Sequence, residues 1–318
     1  MSVVLQYELW HECNCYCTFC TLGQENLKTK EEVKLKAINT ATDEINNLKK
    51  GDHETIGFIG GEFFQGQLNT KLLFEKFCKM IDAVNNALNK NIINDFWLNV
   101  SLLIGKQEQL FEVLERIDKK DKIWLLTSYD TMGRFHTQKM FETWENSIFA
   151  LQKKYPQINF NITSILTGDF ITKYLNGELD LKMFREKYNS SLFLKNPVKA
   201  KDAIFETSKS INDKIGYFFP KRHDFLEFLK KYLKEEGIEN YKKLISMDLR
   251  ADEVRKMYNS GEIYNFTRNR KTLHEKEEGI DDKYDLVCGH NLNYASYCDS
   301  DKCILCDKQM ILDMYGEY

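Results

Sequence analysis

Strand-prone and helix-periodic segments alternate six times across residues 2–200. That pattern predicts an α/β fold: an open, partial (β/α)6, TIM-like barrel with a small cysteine-rich C-terminal extension. Three observations carry the prediction. The alternation itself implies parallel strands joined by crossover helices. Six units fall short of the eight in a closed barrel, so the sheet stays open. The stretches richest in chemistry, a dense cysteine run, a Gly-Gly-Glu turn and a Thr-Ser-Tyr-Asp stretch, all follow predicted strands, where such folds place their sites.

Taken in order, residues 2–10 are apolar and β-prone and run straight into the cysteine loop. Residues 29–50 place Val33, Ala37, Ile38, Ala41, Ile45 and Leu48 on one helical face. Residues 54–59 form a second strand, stopped by Gly60-Gly61. Residues 70–89 are helical, with Leu72, Leu73, Phe77, Met80, Ile81, Val84 and Leu88 on one side and Cys78 as a small buried hydrophobe. Residues 95–104 are strand three and 106–118 a helix; 123–128 are strand four and 137–153 a helix. Residues 159–166 are strand five, and the helix over 169–187 is interrupted at Gly177. A sixth strand is expected at 191–194, ended by Pro197. Beyond 200, helices are expected at 222–236 and 239–259, then a polar linker at 268–283 and a compact four-cysteine segment. The domains are therefore 1–200, the barrel; 201–283, a helical extension and linker; and 284–318, the C-terminal module.

The 318 residues are 42% hydrophobic and 29% charged, with a formal net charge of -3. Such a chain can build a core, and its charge gives no indication of nucleic-acid binding. The N-terminus lacks a basic region and a cleavage site, and no apolar run approaches the roughly 20 residues of a membrane span. The expectation is a soluble, cytoplasmic protein with no membrane partner. Thiols stay reduced in that compartment, so clustered cysteines indicate metal or redox work rather than disulfides. Of nine cysteines, all but Cys78 fall in two clusters.

The first cluster is Cys13, Cys15, Cys17 and Cys20. An iron–sulfur cubane takes four cysteine ligands. Cys13, Cys17 and Cys20 supply three and leave one iron open, with Cys15 as the spare. Two other readings stay open: a closed cluster with Cys15 as fourth ligand, suited only to electron transfer or sensing, and a structural zinc site using all four thiols. An open iron needs a ligand. Gly60-Gly61-Glu62 is the candidate partner, because two glycines permit close backbone approach and a glutamate accepts from an ammonium group. The second cluster is Cys288, Cys298, Cys303 and Cys306, with His290 two after the first. Four thiolates so close together suit an auxiliary iron–sulfur cluster or tetrahedral zinc.

The pattern C-x3-C-x-aromatic-C, ending Phe19-Cys20, with Gly60-Gly61-Glu62 after the second strand, resembles the radical S-adenosylmethionine (radical SAM) enzymes. The resemblance covers roughly residues 5 to 170. It implies a 4Fe-4S cluster on Cys13, Cys17 and Cys20, with S-adenosyl-L-methionine chelating the open iron. Reductive cleavage of that cofactor to methionine and a 5′-deoxyadenosyl radical would then permit hydrogen abstraction from a substrate. The resemblance also implies that Gly60, Gly61 and Glu62 bind the methionine end of the cofactor, and that a low-potential donor such as flavodoxin or ferredoxin supplies the electron. Thr127-Ser128-Tyr129-Asp130 followed by Arg134-Phe135-His136 resembles strand four of the peptide-modifying branch, which would set Ser128 and Asp130 near the ribose. Two departures stand: Thr131 replaces the usual glycine, and no aspartate follows His136. Asn161 to Thr167 resembles that branch's fifth strand. The C-terminal cysteines resemble its SPASM or twitch modules. A peptide or protein substrate is thereby favoured over a nucleotide or other small molecule.

Overall fold

The computed structural model describes residues 4–15, 17, 28–103, 107–130, 133–195, 222–246, 253–259 and 262–268. Cys20, Cys288, Cys298, Cys303 and Cys306 lie outside the described residues, as does the expected linker from 269 onward. The elements, in chain order, are β1 (Val4–Glu8), α1 (Glu31–Asn46), β2 (Thr55–Ile59), α2 (Lys71–Asn89), β3 (Asp95–Asn99), α3 (Gln107–Glu115), β4 (Ile123–Tyr129), α4 (Gln138–Lys154), β5 (Asn159–Ile165), α5 (Gly168–Leu175), α6 (Leu181–Tyr188), β6 (Ser191–Lys195), α7 (Arg222–Ser246), β7 (Glu253–Asn259) and β8 (Glu262–Arg268). The first six strands form a parallel sheet alternating with helices, the arrangement of a partial (β/α)6, TIM-like barrel.

The chain divides into two units. The first holds β1 to β4, α1 to α4, β5 through Ile162, and β7 with β8. Its strands follow the order β5-β4-β3-β2-β1-β7-β8. The register sets two apolar rows across the sheet, Leu5–Ile56–Phe96–Ile123 and Tyr7–Phe58–Leu98–Leu125. Every member is fully buried. The alternate row, Gln6–Gly57–Trp97–Trp124, lies on the other face, as the two-residue period of a strand requires. Helix α2 buries Leu73, Phe77, Met80, Ile81, Val84 and Leu88 together with Cys78, while Leu72, expected on the same side, is exposed. Thr70 starts it by accepting from Leu73 N–H; Thr137 does the same for α4 through Met140 N–H.

The second unit contains the end of β5, then α5, α6, β6 and α7. Gly177, at φ +76°, separates α5 from α6, so the interruption expected there is present. Thr167 and Asp180 cap these two helices. Phe225, Phe228, Leu229, Tyr232, Tyr241 and Leu244 of α7 pack with Phe170, Ile171 and Tyr174 of α5 in one apolar cluster. Gly237, at φ +79° and ψ 168°, breaks α7 where two separate helices are expected.

One expectation is corrected. The helix at 239–259 ends at Ser246, and 253–259 is strand β7, parallel to β1. The segment Glu-Val-Arg-Lys-Met-Tyr-Asn contains good helix formers, but β1 would otherwise present an open edge. Pairing Val4↔Glu253 through Glu8↔Met257 satisfies that edge and overrides local propensity. Strand β8 has no counterpart in the sequence reading.

Phe77 joins helix to sheet, with rings of Trp10, Phe58, Phe63 and Phe64 at centroid distances of 6.5, 6.3, 5.6 and 6.1 Å. Replacing Phe77 with Ala opens a cavity among these buried rings. The expected cost is about 3–5 kcal/mol of unfolding free energy, measured as a lowered urea midpoint at unchanged slope.

Candidate functional site

The cysteine segment leaves the C-terminal end of β1, and the Gly-Gly-Glu turn leaves the C-terminal end of β2. The two are tied by main chain. Gly61 N–H donates to Trp10 O at 2.8 Å, and Glu62 N–H donates to Glu12 O at 2.9 Å. The Trp10 indole N–H returns to Glu62 O at 2.8 Å. The glycines are required by this approach. Gly60 has φ +134°, and a Cβ there would lie 2.5 Å from Trp10 O. A Cβ on Gly61 would strike the Glu12 carbonyl, 2.6 Å from its carbon. Whatever else they serve, both glycines make room for the segment that carries the cysteines.

Glu62 is almost fully buried, and its carboxylate is already committed. Oε1 accepts from Phe63 N–H at 2.7 Å and Phe64 N–H at 3.1 Å, and Oε2 accepts from Ser101 N–H at 2.6 Å. Burial pushes its pKa above the usual carboxylate value and the neighbouring Cys15 charge adds to this, while hydrogen bonds from the Ser101 side chain and the Phe64 and Phe63 N–H groups pull the other way. Glu62 thus clamps its own turn to the loop after β3.

Side-chain amides join the cysteine segment to the residues after this turn. Asn14 Nδ2 donates to Gln65 O at 3.1 Å, and Gln67 Nε2 donates to Asn14 Oδ1. Gln65 Nε2 reaches Ser101 Oγ and Leu103 O, each at 2.9 Å, while Cys15 Sγ faces Gln65 Oε1 at 3.7 Å. Buried Lys34 on α1 donates to Gln67 O and pairs with Glu12 Oε2, each at 2.8 Å. Glu12 Oε2 also accepts from Thr29 N–H at 3.1 Å. One carboxylate therefore fastens both flanks of the cysteine loop to α1.

No disulfide involves Cys13, Cys15, Cys17 or Cys78. Cys15 N–H lies 3.4 Å from Cys13 Sγ. The thiols of Cys13 and Cys17 donate toward Cys15, which holds its sulfur well below the usual thiol range, with the Arg134 charge assisting. Cys13 is pushed up by the same contact and by burial. The side chains of Cys13 and Cys17 both lie against the sulfur of Cys15. Arg134 faces it, with Nη1–H toward Cys17 Sγ at 3.4 Å and Nη2–H toward Ser101 O at 3.1 Å.

Ser128 is half-buried near the end of β4. Asp130 is buried, and its carboxylate accepts from Gly133 N–H, while its carbonyl accepts from Phe135 N–H at 3.2 Å. Asp130 thereby shapes the turn that delivers Arg134. Phe135 anchors that turn among Tyr129, Phe141 and Trp144. Cys13, Cys17, Gly60, Gly61 and Glu62 are brought together in one unit. Ser101, Gln65, Lys34 and Arg134 were not singled out as site residues from the sequence. Only Arg134 carried a signal, as part of the stretch after strand four.

Among the described residues no group of three or more His, Cys, Asp and Glu is arranged to hold a metal ion. The donors present are all thiol sulfur, set against a buried guanidinium. That chemistry fits a soft, negatively charged metal–sulfur group better than a hard cation.

A contrast between two glycines tests the docking. Gly61→Ala should cost about 1–3 kcal/mol or more, because Glu12 must move. Gly57→Ala meets nothing closer than Gln6 Cγ at 3.5 Å, an ordinary contact, and should change stability far less. Urea denaturation of the two variants measures the difference.

No protein-family model and no curated protein matches the sequence. Thirteen chains among solved structures match. One is described as the crystal structure of Streptococcus suis SuiB bound to S-adenosylmethionine; it is 12% identical, with a TM-score of 0.41, and the match covers 94% of this chain and 64% of that one. The chain therefore spans less than two thirds of that structure's length. No helix among the described residues is long and apolar enough to cross a membrane.

Proposed function

We propose that this protein is a radical SAM enzyme. In this reading Cys13, Cys17 and Cys20 hold a 4Fe-4S cluster, and S-adenosyl-L-methionine binds beside Gly60, Gly61 and Glu62, with Ser128 and Asp130 toward its ribose. The observation that carries the reading is the main-chain docking of the cysteine segment onto the Gly-Gly-Glu turn, at the C-terminal ends of neighbouring parallel strands. When bound, cluster and cofactor would supply the 5′-deoxyadenosyl radical for hydrogen abstraction. The chain's own residues do the rest. Glu12 and Lys34 fix the flanks of the cysteine loop, Glu62 holds its turn rigid against Ser101, and the aromatic layer of Trp10, Phe63 and Phe64 keeps water from beneath the site.

A peptide or protein is the favoured substrate class, from the stretch after β4 and the C-terminal cysteines, with a nucleotide or small molecule as the alternative. Flavodoxin or ferredoxin is the class of electron donor. Cys288, Cys298, Cys303 and Cys306 are proposed to hold a second metal site, an auxiliary iron–sulfur cluster or zinc.

The burial of Cys15 against Gln65, between Cys13 and Cys17, favours a second reading, a closed four-cysteine cluster in a non-catalytic electron carrier or sensor. One experiment separates them. The full chain is reconstituted anaerobically with iron and sulfide, reduced and given S-adenosyl-L-methionine. The enzyme reading expects 5′-deoxyadenosine, and a Cys15→Ala variant that keeps its cluster. A cluster destroyed by Cys15→Ala, in a protein that never cleaves the cofactor, would establish the carrier instead. Iron and zinc counts on Cys303→Ala/Cys306→Ala identify the second metal.

A further inference from the structure

Arg134 is only 7% exposed. A buried guanidinium costs several kcal/mol unless a negative charge and hydrogen-bond acceptors offset it. Its acceptors are Cys17 Sγ and the Ser101 carbonyl, and its Nε–H is buried with no acceptor. A carbonyl is a dipole and does not balance a full charge. The buried carboxylate of Glu62 gives both oxygens to three main-chain N–H groups and adds a negative charge nearby, without a hydrogen bond to the guanidinium. The ionisable atom within hydrogen-bond reach of Arg134 is the sulfur of Cys17. The guanidinium is also held firmly in place. Asp130 forms the turn that carries it, Phe135 anchors that turn, and Ser101 O takes one arm, itself fixed by Thr127 Oγ1 at 3.3 Å and through it by Trp144 Nε1 at 3.1 Å.

We propose that Arg134 is a positioning residue for the metal–sulfur cluster, donating to the ligating sulfur of Cys17, keeping Nε–H for one further acceptor on the anionic group, and raising the group's reduction potential. The inference rests on the reading of Cys13, Cys17 and Cys20 as cluster ligands. A hydrogen bond to a ligating sulfur and a fixed cation both stabilise the more negative, reduced state. In the step concerned the cluster gains one electron from a low-potential one-electron donor. No bond forms or breaks at Arg134, which stays protonated throughout.

The test uses the full chain, reconstituted anaerobically with ferrous iron and sulfide, as wild type, Arg134→Lys, Arg134→Met and Arg134→Gln. The readout is a redox titration followed by electron paramagnetic resonance, at matched iron content. Arg134→Met should be harder to reduce by about tenfold in the reduced-to-oxidised ratio at fixed potential, which is about 59 mV more negative for one electron. Arg134→Lys, with its cation but not its fork, should fall between. Arg134→Gln substitutes for Met if that variant does not fold. Neutral variants that fold by circular dichroism yet lose iron, while Arg134→Lys keeps it, support the positioning role. Equal potentials in loaded wild-type and neutral variants overturn this inference and leave the function standing. A wild-type protein that takes up no iron overturns both.

Discussion

Two main-chain hydrogen bonds set the geometry on which the candidate site depends: Gly61 N–H to Trp10 O and Glu62 N–H to Glu12 O. They hold the cysteine segment against the turn after β2 without using any side chain. A backbone approach this close leaves no volume for a Cβ, which fixes glycine at two successive positions. The rest follows from it. Trp10 is drawn over Phe63 and Phe77, so the apolar layer under the site is continuous with the core of α2. Glu62 is placed where its carboxylate meets three N–H groups, and Gln65 and Gln67 come within reach of Asn14 and Cys15.

Charge is distributed around this junction in a definite pattern. Lys34 lies on Glu12, Glu62 on main-chain N–H groups, and Arg134 on sulfur. Each is buried, so removing a partner strands a charge at a cost of several kcal/mol. Surface pairs differ. Lys71 and Glu75, at 3.7 Å with side chains 90% and 55% exposed, contribute about 0–1 kcal/mol. The electrostatics that matter lie within a few residues of the cysteines, on elements built from α1, β2, β3 and the turn after β4.

Much of the fold was legible from periodicity. Leu73, Phe77, Ile81 and Leu88 mark one face of α2, and Gly177 marks a break that the backbone realises with positive φ. Strand β7 was not legible, because a parallel partner for β1 is specified by an edge far away in sequence. The site was half legible. Cysteine spacing and a double glycine announce themselves, since few other roles need those residues in that order. Arg134 and Ser101 do not. A buried arginine has the same one-letter code as an exposed one, and Ser101 acts through a hydroxyl and main-chain groups that any loop serine carries. The commitment of Glu62 to its own neighbours was also invisible, because it requires Ser101 to arrive from another strand.

The pairing of β7 with β1 has a consequence in time. Val4 finds its partner at Glu253, so β1 is made well before its second neighbour. Closing so long a loop is entropically expensive, and contacts of this separation form slowly. Until then the first strand presents a bare edge of N–H and C=O groups, able to pair with another nascent chain. The segment that departs from β1 with the cysteines gains this support only once residues 253–257 have been made.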